Sequence, residues 1–94
     1  MAETDDRVGP VVLASTLGRA VVLAIVQLNP GAEILDRGAY LWVLSSETCL
    51  LTSPMVESIS GNEFRLPGDL ESVMPAFRGE LSVRGDRVEW RVAR

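Results

Sequence analysis

The stretch LNPGAEILDRGAYLWV, Leu28–Val43, decides the fold because it carries the chain from a helix into a sheet. Asn29-Pro30-Gly31 is a helix stop: proline cannot extend a helix, and glycine turns freely after the last residue. Glu33–Asp36 then reads as an extended arm, and Ala39–Ser45 as a strand. Alternation places Ala39, Leu41 and Val43 on one face of that strand and Tyr40, Trp42 and Leu44 on the other. Both faces are apolar. One packs on the preceding helix, which leaves the other to a second element or to a partner.

Upstream, the spacing predicts a helix over Thr16–Leu28, with Ser15 or Thr16 as N-cap and Leu17, Val21, Ala24 and Leu28 on one face. Val11–Ser15 reads as a first strand after Gly9-Pro10, and Met1–Arg7 as a polar, acidic tail preceding a single domain, residues 8–94. Downstream, Cys49–Thr52 reads as a hairpin partner of the Ala39–Ser45 strand, reversed at Ser46-Glu47. A helix opens at Ser53-Pro54, its apolar side made by Met55, Val56 and Ile59, and stops at Gly61-Asn62. A shorter one runs from Asp69 to Met74.

The C-terminus, GELSVRGDRVEWRV (Gly79–Val92), is a tight hairpin about Gly85-Asp86. Its register sets Val83 opposite Val88, Leu81 opposite Trp90 on the buried face, and Glu80 opposite Arg91 on the outer one. Within that hairpin Arg84-Gly85-Asp86 is a turn between arginines, not an adhesion motif.

Composition narrows the chemistry. The 94 residues carry no histidine, one cysteine, and a net charge of −4. All nine basic residues are arginine, so Schiff-base chemistry has no lysine to use. Without histidine the commonest metal ligand and general base are missing, and one cysteine builds neither a zinc nor an iron–sulfur site. The acidic balance argues against a nucleic-acid surface. Cys49 sits in an apolar setting as a buried, reduced thiol. No signal-peptide pattern opens the chain, and no apolar run reaches the ~20 residues that span a bilayer, so a cytoplasmic protein is expected. Hydrophobic residues make up 47% of the chain, more than so small an interior can hold. What remains is binding.

VGPVV at Val8–Val12, NPG at Asn29–Gly31, DRGAY at Asp36–Tyr40 and the closing FRGELSV and DRVEWRV occur in one characteristic order. In that order, over roughly Val8–Val92, the chain resembles the effector (coupling or regulatory) proteins of soluble diiron multicomponent monooxygenases. It is nearer to the toluene and alkene monooxygenase branch than to the longer methane monooxygenase regulators. The resemblance implies an α+β fold of two packed sheet-and-helix units, βαββ-like and then helices and a C-terminal β-hairpin. It implies no cofactor, no catalytic residue and no metal ligand in this chain. The partner it implies is a diiron hydroxylase component, with no nucleic acid and no membrane, and a monomer when free. The alternative from composition alone is an interaction or ligand-binding module whose apolar surface makes a homodimer.

Six residues stand out as candidate partner contacts. Asn29, Pro30 and Gly31 match a family motif on a turn, and also serve as a plain helix terminator. Arg37 and Tyr40 match the next motif; Arg37 offers a guanidinium to partner carboxylates or simply to water. Tyr40 and Trp42 share a strand face, and both residue types are enriched at interface hot spots, although Trp42 also suits a core.

Overall fold

The computed structural model describes residues 6–93. Seven strands and three helices follow the order β1 (Arg7–Leu13), α1 (Thr16–Leu28), β2 (Glu33–Asp36), β3 (Tyr40–Ser46), β4 (Thr48–Thr52), α2 (Ser53–Ser60), α3 (Gly68–Glu71), β5 (Ala76–Arg78), β6 (Glu80–Arg84) and β7 (Arg87–Arg91). They form two antiparallel sheets, β2-β3-β1-β5 and β4-β7-β6. α1 lies against both, touching β1 and β3 of the first sheet and β4 of the second. This is the expected α+β arrangement of two sheet-and-helix units.

α1 has the expected bounds. Ser15 caps it, its hydroxyl accepting from the Gly18 amide at 3.0 Å. Its buried side is broader than the single face expected: Ala20, Val21, Val22, Ala24 and Ile25 are all covered, because the helix is wedged between two sheets. The core joins these residues to Val8, Val12, Leu41 and Val43 from the first sheet. From the second come Cys49, Leu51, Val88 and Trp90.

β1 begins four residues earlier than expected, at Arg7, and contains Gly9-Pro10 instead of following them. Gly9 has φ 149°, and a Cβ there would stand 2.1 Å from the Val43 carbonyl oxygen, so only glycine allows the strands to approach. Asp6 and Arg7, expected in the tail, belong to the fold: Asp6 accepts from the Glu47 amide at 2.7 Å. The remainder of the expected tail, 1–5, lies outside the described residues.

The expected hairpin between β3 and β4 is corrected. A single residue, Glu47, separates the strands, and its left-handed backbone (φ 67°) bends the chain without reversing it. Reversal into an antiparallel neighbour takes about two loop residues. β4 therefore crosses into the second sheet and pairs with β7. α2 opens at Ser53 as expected and is capped by Thr52, whose hydroxyl accepts from the Met55 amide at 3.4 Å. α3 stops at Glu71, short of Met74, because the chain then turns back to β1, where the Val73 carbonyl accepts from the Leu13 amide at 2.8 Å. β5 was unforeseen: all three of its residues are exposed, so no apolar alternation marks it.

The C-terminal hairpin has the expected register, with Val83 facing Val88, Leu81 facing Trp90 and Glu80 facing Arg91. Gly85, at φ 58°, occupies the turn position that favours glycine. Two details differ. Val83 is exposed, because β6 is an edge strand overhanging the core. Arg91 bonds Glu89 on its own strand at 3.0 Å, not Glu80 across the ladder.

Candidate functional site

Strand register sorts the first sheet into two faces. Val8, Val12, Leu41 and Val43 point at α1 and are buried. The other face carries Val11 and Leu13 of β1, Tyr40, Trp42 and Leu44 of β3, Leu35 of β2 and Ala76 of β5. Among the described residues no helix is packed on it.

The two ends of this outer face differ. At one end Arg7 and Glu33, on opposite sides of β3, close an ion pair of 2.6 Å that spans the strand above Leu44. Leu44 itself is 2% exposed while standing outside the core cluster. The other end is open. Tyr40 (44% exposed) faces Leu13 (36%), beside a row formed by Leu35, Trp42, Val11 and Ala76. Trp42 is half-buried, and its indole N–H is shielded with no acceptor among the described residues. A tight turn brings up Arg37: its amide donates to the Tyr40 carbonyl at 2.8 Å, and Asp36 Oδ1 accepts from Gly38 at 2.8 Å. Its exposed side chain makes no hydrogen bond or ion pair among the described residues.

The structure thus joins three of the six sequence candidates, Arg37, Tyr40 and Trp42, at one end of an apolar sheet face. Asn29, Pro30 and Gly31 lie at the far end of β2. Pro30 and Gly31 are exposed, but Asn29 is only 8% exposed and its side chain is fully used. Its Nδ2 donates to the carbonyls of Ile25 (2.7 Å) and Leu50 (2.8 Å), and Oδ1 accepts from the Leu50 amide at 2.9 Å. Leu50 lies on the edge strand β4, and Asn29 bonds that edge as a neighbouring strand would. The side chain ties α1 to the second sheet. Sequence reasoning missed Val11, Leu13, Leu35 and Ala76. The alternation of Val11 and Leu13 around buried Val12 carried a signal for two of them; Ala76 carried none.

Burial pushes the Cys49 thiol up to about 12, so it stays protonated at neutral pH and is not a nucleophile. Among the described residues no cluster of three or more carboxylates or thiols is arranged to hold a metal ion, and no helix is long and apolar enough to cross a membrane.

Comparison with known proteins gives a consistent picture. The pattern of the MmoB/DmpM family matches residues 6–91. The chain is 33% identical over 88 residues to the effector subunit of the alkene monooxygenase system of Xanthobacter autotrophicus (strain ATCC BAA-1158 / Py2), covering 92% of this chain and 86% of that one. Its fold is similar to a chain from a phenol hydroxylase–regulatory protein complex, with a TM-score of 0.83 at 15% identity over 93% of this chain and 99% of that one. Regulatory protein B of soluble methane monooxygenase is also similar, with a TM-score of 0.72 at 17% identity, covering 99% of this chain and 69% of that one.

Proposed function

The chain belongs to the MmoB/DmpM family, and from that premise we propose that it binds the hydroxylase of its monooxygenase and tunes how that enzyme uses oxygen and reductant. It is an effector subunit, an accessory component and not a catalyst. Binding one hydroxylase conformation in preference to another is sufficient. A differential of ~1–3 kcal/mol shifts the populations about 5- to 150-fold, with no reactive side chain in the effector. The hydrocarbon pocket and the diiron centre would both lie in the partner. A chain with one protonated thiol fits a cytoplasmic setting, which is our reading of its location.

The observation that carries this reading is the uncovered sheet face with Leu13, Tyr40 and Trp42 at its open end. We take it as the docking surface, with Arg37 at its margin to meet carboxylates and Pro30-Gly31 as a second, peripheral contact. Tyr40 is 44% exposed and stands outside the core cluster, so its removal tests docking with small cost to folding. Tyr40→Ala is expected to weaken hydroxylase binding by about 10- to 30-fold in a calorimetric titration, as truncation of an interface aromatic does, while thermal unfolding shifts by no more than a few degrees. An unchanged dissociation constant would remove this face from the interface.

A further inference from the structure

The C-terminal hairpin, itself neutral with three arginines against three carboxylates over residues 79–92, lies in an end of the chain that is charged unlike the remainder. Residues 76–94 hold five arginines against three carboxylates, a net +2, whereas residues 1–75 hold four against ten, a net −6. Its outer face lines a shallow basin of about 870 Å³ whose wall includes Phe77, Glu80, Arg84, Arg87 and Arg91. At the tip the ladder sets Arg84 directly opposite Arg87. Like charges facing each other across a strand pair destabilise it. The arrangement is not relieved internally: both side chains are exposed, and neither makes a hydrogen bond or ion pair with any described residue, Asp86 in the turn between them included. At the other end of the basin the pattern changes, because Arg91 is neutralised by Glu89.

We propose that the Arg84–Arg87 pair is an electrostatic docking point for an acidic patch on the hydroxylase, separate from the apolar face that holds Tyr40 and Trp42. This rests on the effector reading. Each guanidinium presents a fork of N–H donors, the geometry that a carboxylate accepts bidentately, and the ladder sets two such residues opposite each other. The chain's overall negative charge disfavours an extended polyanion, so the occupant is a local cluster of Asp and Glu side chains on a protein surface. Held apart in the free protein, the two arginines gain their counter-charges only in the complex. They therefore steer association and select the partner, and the free fold bears the cost.

The test compares wild type, Arg87→Glu and the double variant Arg84→Gln/Arg87→Gln for association with immobilised hydroxylase at low and high salt, alongside thermal unfolding of each free protein. Arg87→Glu creates an opposite-charge pair with Arg84. Its unfolding midpoint is expected to rise by about 2–5 °C while its association rate at low salt falls about 10-fold or more. The double variant loses the same rate without gaining the new ion pair, and at high salt all three proteins converge. Opposite movement of stability and association is the signature. Association rates and salt dependence equal to wild type in both variants would overturn the docking point and leave the effector reading standing. A wild-type protein that does not associate at all would remove the effector reading, and this one with it.

Discussion

Asn29→Asp is expected to cost about 3–5 kcal/mol at neutral pH, a large part of the ~5–10 kcal/mol that stabilises a domain of this size. The reason is a matter of hydrogen-bond polarity. Nδ2 of Asn29 donates to two carbonyls, those of Ile25 at 2.7 Å and Leu50 at 2.8 Å. A carboxylate puts an acceptor where both carbonyls need a donor, in a site that is 8% exposed. Ionisation is disfavoured there, so the folded-state pKa of the new carboxyl is raised above its unfolded value near 4. The folded form then holds its proton more tightly than the unfolded one, and the penalty is smallest in acid and grows as the pH rises through that interval. Asn29→Ala removes three hydrogen bonds without adding charge and is expected to cost about 2–4 kcal/mol. Chemical denaturation of the three proteins between acid and neutral pH measures both effects. Variants with wild-type stability but weakened hydroxylase binding would place Asn29 at the interface and contradict its role as a tie between α1 and β4.

Gly18→Ala is the second large effect, and its sign is opposite to helix propensity. In an isolated helix the change stabilises by about 1 kcal/mol. Here an alanine Cβ would stand 1.8 Å from the Leu13 carbonyl oxygen and 3.0 Å from Val12 Cγ1. The first of these is backbone, held in turn by the Leu13 amide's bond to the Val73 carbonyl, and cannot swing aside. α1 would have to lift from β1 by more than an ångström, disturbing Val21, Val22 and Ile25, which are packed with almost no exposure. The clash outweighs the propensity. A net loss of about 3 kcal/mol or more is expected in the same denaturation experiment. A variant as stable as wild type would mean that the helix does not sit on Leu13 as described.

The contrast between these two residues indicates what the sequence could reveal. α1 was legible with its limits because Ser15 and Asn29-Pro30 mark its ends by local chemistry. The β6–β7 hairpin was legible because Gly85-Asp86 permits one register, and every backbone pairing follows from it, although Arg91 turns to Glu89 on its own strand and not to Glu80. Partner choice among distant strands was not legible. No residue pattern within Cys49–Thr52 specifies β7 over β3; the left-handed bend at Glu47, unusual for a residue other than glycine, and the edge contact from Asn29, which is tertiary, accompany that choice. β5 carries no alternation because it pairs with β1 at the sheet margin, where neither face is covered.

The same division holds for the candidate site. Tyr40 and Trp42 were found as residues on one strand face, and Arg37 as a turn residue beside them. Val11, Leu13, Leu35 and Ala76 joined them only through sheet order. Asn29 was singled out correctly as a distinctive position, but a motif cannot say whether an amide faces a partner or its own backbone. Its three internal bonds settle the direction in which it points.

The most direct measurement is reconstitution of the hydroxylase and its reductase with increasing amounts of this protein, following turnover and product formed per reductant consumed. Both quantities are expected to rise and then saturate as the complex fills, with Tyr40→Ala requiring more protein to reach the same plateau. Identical turnover and identical product per reductant with and without the protein would contradict the proposal that docking alone alters the diiron enzyme's output.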